Sequence, residues 1–236
     1  MEHELERTFD MEDVHFKDHI MTIDNFLMDE TIEVLFDAWK KAEERGYTYS
    51  RREQGHNQDQ FEIKDQAITH YDMPRMLSTD MDIVIQYVNH FGLGEYDRKY
   101  NIMNIPEYRE IYVSGAKMQK TCPGEGYHVW HHEHGYQNAN RNAILAWMVY
   151  LNDVDEGGET EFYNQQVSAK PTKGTLVIFP ADFTGKHRGL MPKSGLKYIM
   201  NSWLLELVDP LVNDIIEKPH DYLCLNKQIM GFMKNK

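Results

Sequence analysis

Cysteine is almost missing from this chain. Cys122 and Cys224 are its only two in 236 residues, and they stand far apart with no CxxC pairing, which excludes a disulfide scaffold and a cysteine-based zinc module. Positive charge is also scarce: 25 Lys and Arg face 38 Asp and Glu, for a formal net charge of −13. Phosphate backbones are held by Lys and Arg, so no nucleic-acid partner is expected. With 15 Gly and 8 Pro the chain is not fibrous or linker-like. The longest unbroken apolar run, Ala143 to Leu151, is roughly half of a membrane-spanning helix, so no membrane partner is expected. Residues 1–13 are acidic and have no apolar stretch of the secretory kind. A reducing cytoplasm is therefore the expected compartment.

What remains is 41% hydrophobic, enough for one well-buried core. Residues 19–27 read as extended. From Asp29, a candidate N-cap, the spacing of Ile32, Leu35, Phe36, Trp39 and Ala42 predicts a helix that ends at Gly46. Residues 47–65 are polar and read as a long loop, either a surface linker or a lid. A second helix is predicted from Ser78, carrying Ile83, Val84, Tyr87, Val88 and Phe91, with its stop at Gly92. After about residue 108, short β-branched and aromatic runs alternate with turn signals such as Pro123-Gly124, Glu156-Gly157-Gly158 and Lys173-Gly174. That pattern predicts a β-sandwich or jelly roll. The expected organisation is one structural domain in three parts. Residues 1–107 pack on the core, 108–207 form the β-core, and 208–236 make a partly helical tail.

Histidine is the surplus. There are twelve, four of them within the segment Tyr127-His-Val-Trp-His-His-Glu-His-Gly135. The HExxH zinc motif is not there. On a strand, residues i and i+2 share a face, which pairs His131 with Glu133. One more histidine from a distant strand would complete a 2-His-1-carboxylate set of the kind that binds non-haem iron(II) and leaves adjacent positions open. A rival pairing, His132 with His134, would suit a cupin-like metal site, and a solvated strand face is the ordinary alternative. Farther on, His187 follows the run Thr175 to Pro180, and Lys197 opens the run Lys197 to Trp203. Alternation puts Lys197, Ile199, Asn201 and Trp203 on one face. A lysine turned inward is costly unless it meets an anion, and the far end of a dicarboxylate would supply one.

These stretches together resemble the prolyl 4-hydroxylase-like branch of the Fe(II)/2-oxoglutarate dioxygenases, and more narrowly its members in marine bacteriophages. The resemblance rests on Ile23 to Leu27, Gly126 to Glu133, Tyr150 to Val154, Glu156 to Phe162, Lys173 to Pro180, His187 to Gly189 and Lys197 to Trp203. It implies a double-stranded β-helix (jelly-roll) core with flanking helices. It implies His131, Glu133 and His187 as the metal ligands, Lys197 as the partner of the far carboxylate of 2-oxoglutarate, Thr160 as its assistant, and Trp203 beside the co-substrate. The implied cofactors are Fe(II), 2-oxoglutarate and O2, with ascorbate as reductant. The implied reaction hydroxylates an unactivated C–H bond, of a prolyl or other side chain in a protein or peptide, and releases succinate and CO2.

The chain departs from the family pattern in three places. Glu133 stands where the family usually has Asp. Ala143 stands where a substrate-contacting arginine aligns, with Arg141 two positions earlier as its candidate substitute. Cys122, beside Thr121, stands near the place of a tyrosine that often helps hold 2-oxoglutarate. Trp130 and Arg188 complete the candidate substrate contacts. Two other functions compete with peptide hydroxylation: the same oxygenase acting on a free amino acid or other small molecule, and a non-catalytic β-sandwich binding zinc or a partner. Lys197 weighs against the last, since a metal-binding module has no use for a buried anion anchor.

Overall fold

The computed structural model describes residues 8–50, 69–72, 79–103, 111–114, 116–134, 142–206 and 222–224. The chain enters through a hairpin, β1 (Val14–Lys17) and β2 (Ile20–Ile23). Its two turn residues, Asp18 and His19, both have positive φ (45° and 70°), the tight turn whose twist matches the strands it joins. Helix α1 (Asp29–Glu44) buries Ile32, Leu35, Trp39 and Ala42. Met28, not Asp29, precedes it as the N-cap. Asp29 lies in its first turn, where a carboxylate complements the helix dipole, and pairs with Lys173 Nζ at 2.8 Å. The helix ends as expected at Gly46, with φ 69°. The predicted polar loop begins with strand β3 (Tyr49–Ser50), and β4 (Thr69–Asp72) follows it. Residues 51–68, which carry the lid-or-linker question, lie outside the described residues.

The second helix does not stop at Gly92. Helix α2 (Thr79–Tyr87) runs through a π-helical turn, Val88–Gly92, directly into α3 (Leu93–Tyr100). The stop is Asn101, with φ 54°. Gly92 is helical (φ −62°), and its small size serves packing instead. A Cβ there would meet Leu176 Cδ2 at 2.6 Å, with Ile178 and Phe26 behind it.

The β-core follows: β5 (Ile111–Ser114), β6 (Lys117–Thr121), β7 (Tyr127–His131), β8 (Ala143–Tyr150), β9 (Thr160–Phe162), β10 (Val167–Ala169), β11 (Leu176–Pro180), β12 (His187–Gly189) and β13 (Lys197–Glu206). In the tail, β14 (Tyr222–Cys224) pairs with β5. The rest of the expected partly helical tail lies outside the described residues. Ten strands form one sheet, in the order β1-β2-β11-β8-β13-β6-β4-β3, with β5 also on β13; four form a second, β10-β9-β12-β7.

Side-chain alternation splits the central strands between two apolar layers. On β8, Leu145, Trp147 and Val149 pack with α1, α2 and α3, together with Leu176, Ile178, Met200 and Leu204. The intervening Ala146, Met148 and Tyr150 face the small sheet, against Phe162, Ala169, Val177 and Phe179. Both faces of β8 are covered, which is why its sequence is an unbroken apolar run and not an alternating one. The same alternation on β13 gives Met200 and Leu204 to the helices. It turns Lys197, Ile199, Asn201 and Trp203 into the space between the sheets.

Gly92→Val should lower stability by about 1–3 kcal/mol, because the added methyls must displace buried side chains of β11. Urea denaturation measures this; an unchanged midpoint would contradict the packing role.

Candidate metal and co-substrate site

Strands β7 and β12 pair antiparallel with His131 opposite His187, so two imidazoles from distant parts of the chain lie side by side, ring centroids 4.3 Å apart. Glu133 follows just past the end of β7, in a bend. Its Oε1 lies 3.6 Å from His131 Nε2 and 3.4 Å from His187 Nε2. The three donor atoms all fall within 4.8 Å of one another, and among the described residues this is the group of histidine, cysteine and acid side chains that converges in this way. The rival pair is set apart from it: His132 and His134 are exposed, and His134 Nδ1 lies 3.3 Å from the carbonyl of Ala143.

The ring orientations are fixed from behind. His131 Nδ1 lies 2.9 Å from the carbonyl oxygen of Val129, and His187 Nδ1 lies 2.9 Å from that of Gly185. A carbonyl only accepts, so Nδ1 carries the proton and donates in both rings. Each Nε2 is left with its lone pair aimed at the Glu133 carboxylate. Burial, followed by the neighbouring His187, pushes the His131 imidazole below its usual range. For Glu133, burial pushes upward, but in the metal-free site the two rings, once each also holds a proton on Nε2, outweigh it and hold the carboxyl well below the usual carboxylate range. Two lone pairs and an anionic oxygen facing one another fit a cation at their centre. This 2-His-1-carboxylate set suits non-haem iron(II), and three protein donors also suit catalytic zinc.

A second feature separates those two uses. Lys197 is 7% exposed, and its Nζ donates to the Gly158 carbonyl at 2.6 Å. Burial pushes its pKa down to about 8, with Glu159 acting in the opposite direction. No ion pair of Lys197 is found among the described residues. A buried cation without a carboxylate is a site for one brought by a ligand. The Lys197 ammonium lies 5.4 Å from the Tyr150 ring centroid. The Tyr150 hydroxyl lies 2.8 Å from Thr160 Oγ1 and 3.1 Å from the Ala169 carbonyl, its one proton serving one of the two at a time, and burial pushes its pKa upward. Thr121, 6% exposed, is the register partner of Lys197 on β6. Asn201, farther along the same wall, has a buried amide oxygen with no hydrogen-bond partner among the described residues.

The expected residues thus fall into three groups. His131, Glu133 and His187 come together, as do Lys197 and Thr160, the latter through Tyr150. Trp203 is on the inner wall, but its indole N–H donates to Glu133 Oε2 at 2.7 Å, a contact the sequence did not suggest. Trp130 and Arg188 lie elsewhere. They alternate with His131 and His187 and so project from the opposite face of the small sheet. There the Arg188 guanidinium lies 4.4 Å from the Trp130 ring centroid and its Nε donates to Glu161 Oε2 at 2.7 Å. Both are thus on the other side of the small sheet from the three converging donors. Arg141 lies outside the described residues. Cys122 is half-buried beyond the end of β6; Thr121 is the residue opposite the lysine. Tyr150 is the residue that sequence reasoning missed. Its signal was its even parity with Ala146 and Met148 on the strand face turned away from the helices.

Comparison with known proteins finds likenesses in sequence and in fold. Residues 116–205 match the 2OG-Fe(II) oxygenase superfamily. Over 72 residues, 28% of this chain, the sequence is 36% identical to the prolyl 4-hydroxylase subunit alpha-1 of Gallus gallus, of whose length the match spans 14%. A viral collagen prolyl hydroxylase from Paramecium bursaria Chlorella virus-1, solved as its 2OG complex, shares the fold with a TM-score of 0.55 at 24% identity, over 80% of this chain and 97% of that one. A prolyl hydroxylase from Trichoplax adhaerens, solved with a hypoxia inducible factor peptide fragment, gives a TM-score of 0.62 at 16% identity, over 80% and 84%. The core is therefore a jelly roll of the kind found in 2OG oxygenases. The segment that matches the superfamily model, residues 116–205, is the part of the chain that carries the two histidines, Glu133 and Lys197.

Gly185 gives a test of the site that leaves its donor atoms untouched. A Cβ on Gly185 would collide with the backbone carbonyl of Pro180, shifting the carbonyl that orients His187. Gly185→Ala should weaken Mn(II) binding by about 10–100-fold, measured by the EPR signal of free Mn(II). Gly94→Ala, which meets nothing within 4 Å, is the control. Unchanged affinity in Gly185→Ala would contradict the orienting role.

Proposed function

We propose that this protein is an Fe(II)/2-oxoglutarate-dependent dioxygenase that hydroxylates a prolyl or other side chain of a protein or peptide, with release of succinate and CO2. The observation that carries this reading is the pairing of a 2-His-1-carboxylate cluster with a buried lysine on the same inner wall that has no acid partner among the described residues. His131, Glu133 and His187 would hold the iron, and Lys197, with Tyr150 and Thr160 beside it, would hold the far carboxylate of 2-oxoglutarate. When bound, iron and co-substrate supply the activation of O2 that oxidises a C–H bond. The chain's own part is to bind and orient. The Val129 and Gly185 carbonyls keep both imidazoles in the ligating tautomer. Lys197 presents an ammonium that burial has stripped of water, and the apolar side chains Met148, Phe162, Phe179 and Ile199 exclude solvent between the sheets. A peptide substrate is favoured by the prolyl hydroxylase relatives, one of which was solved with a peptide. The marine-phage affiliation, a cytoplasmic setting and ascorbate as reductant belong to the same proposal, the setting being supported by the acidic, cysteine-poor composition.

Two measurements test it. With Fe(II), ascorbate and O2, succinate should form from 2-oxoglutarate and speed up with proline-containing peptides. No succinate above a metal-free control would overturn the reading, and stimulation by free amino acids alone would shift it to the small-molecule oxygenase. The second is pH. Lys197 binds the anion in its protonated form, and its pKa is lowered to about 8. Affinity for 2-oxoglutarate should therefore be steady below about pH 8 and fall above it, by roughly tenfold per pH unit at the limit, until the ligand itself raises the lysine pKa. Lys197→Met should lose both the affinity and this pH dependence; retained affinity would remove the anchor.

A further inference from the structure

The two oxygens of Glu133 have different partners. Oε1 faces the Nε2 atoms of His131 and His187 at 3.6 and 3.4 Å, whereas Oε2 accepts a hydrogen bond from Trp203 Nε1 at 2.7 Å. Trp203 sits on the inner face of β13 with Ala146 as its neighbour on β8, and its ring is covered by Lys117, whose Nζ lies 4.6 Å from the ring centroid. Lys117 reaches it from β6, where it pairs in register with Asn201. The indole is thus held by strand pairing on one side and a cation on the other. Its N–H, a donor with no other role, points at the oxygen that the imidazoles leave over.

This arrangement bears on the use of glutamate where the family has aspartate. Glutamate has one more rotatable bond, so its carboxylate can swing, or offer both oxygens to an ion. We propose that Trp203 is a positioning residue for the metal-binding carboxylate: its N–H occupies Oε2 and leaves Oε1 as the single ligating oxygen of a longer acid. The proposal rests on the metal site described above and gives Trp203 a task distinct from forming a wall beside 2-oxoglutarate. A hydrogen bond to an ionised acceptor is the strong kind, and groups that orient a ligand from behind weaken metal binding when they are removed.

The test measures Mn(II) affinity of the apo-protein without 2-oxoglutarate, from the EPR signal of free Mn(II). Trp203→Phe keeps an aromatic ring under Lys117 and removes only the N–H side of the indole. It should weaken Mn(II) binding by about 10–100-fold, with the metal-free thermal melt unchanged. Glu133→Asp draws the carboxylate back from the indole, so in that background Trp203→Phe should have little further effect. Wild-type Mn(II) affinity in Trp203→Phe, with only 2-oxoglutarate binding impaired, would overturn the proposal while leaving the metal site intact. Equal losses in both backgrounds would overturn it too, as a packing effect. A wild-type protein that binds no Mn(II) would remove the metal site itself, and the proposal with it. Should Trp203→Phe fail to fold, indole-15N labelling of the unmutated protein reads the same bond. The Trp203 N–H should exchange slowly and shift on Zn(II) binding, and fast exchange with no shift would overturn the assignment.

Discussion

The site depends on one register. Pairing β7 with β12 so that His131 lies opposite His187 is what turns two histidines, far apart in the chain, into adjacent imidazoles that can share an ion with Glu133. In both, Nδ1 donates to the carbonyl of the residue two positions earlier, Val129 or Gly185. A single such bond is worth only about 1 kcal/mol in net stability, yet it decides which nitrogen carries the proton and where the other points. A slip of one residue in this pairing would turn one imidazole to the outer face, where Trp130, Arg188 and Glu161 now form their own cation–π and ion-pair cluster. The bend after β7 then needs to deliver only one carboxylate.

The large sheet supplies the frame for that register. Its central strands β8, β11 and β13 are buried on both faces, one against the helices and one against the small sheet, so side-chain direction is strictly enforced along them. This enforcement holds Lys197 inward in spite of the cost of desolvating an ammonium. The Gly158 carbonyl meets part of that cost, and the depressed pKa records the remainder. A pocket whose lysine meets no acid among the described residues is destabilised when empty and is relieved by an anionic ligand. On the proposed function, the strain of the empty pocket and an affinity for a dicarboxylate have the same origin. Gly157 and Gly158, both at positive φ, make the turn that brings this carbonyl to the lysine.

Much of this was legible in the residues. The unbroken apolar run of β8, the amphipathic spacing of α1 and the inward parity of Lys197 follow from periodicity, because long elements buried against one or two layers leave a regular trace. The family resemblance supplied the pairing of His131 and Glu133 with His187, since short strands carry no period of their own: β12 spans only His187–Gly189. The same shortness left the faces of Arg188 and Trp130 unassigned by periodicity. Gly92 read as a helix stop because glycine usually is one, whereas here contact with Leu176, invisible in one dimension, required it mid-helix. The Trp203–Glu133 hydrogen bond was hidden for another reason. It joins two residues seventy positions apart through a side-chain N–H, and no spacing rule encodes such a contact.

The central claim is that one ion and one dicarboxylate occupy this wall together, and a crystal structure of the Mn(II) and 2-oxoglutarate complex, with the metal located by anomalous scattering, tests it most directly. The account predicts an ion roughly 2.0–2.3 Å from His131 Nε2, Glu133 Oε1 and His187 Nε2, with the far carboxylate of 2-oxoglutarate within hydrogen-bond reach of Lys197 Nζ. A metal bound instead by His132 and His134, or a 2-oxoglutarate whose far carboxylate lies away from Lys197, would contradict it.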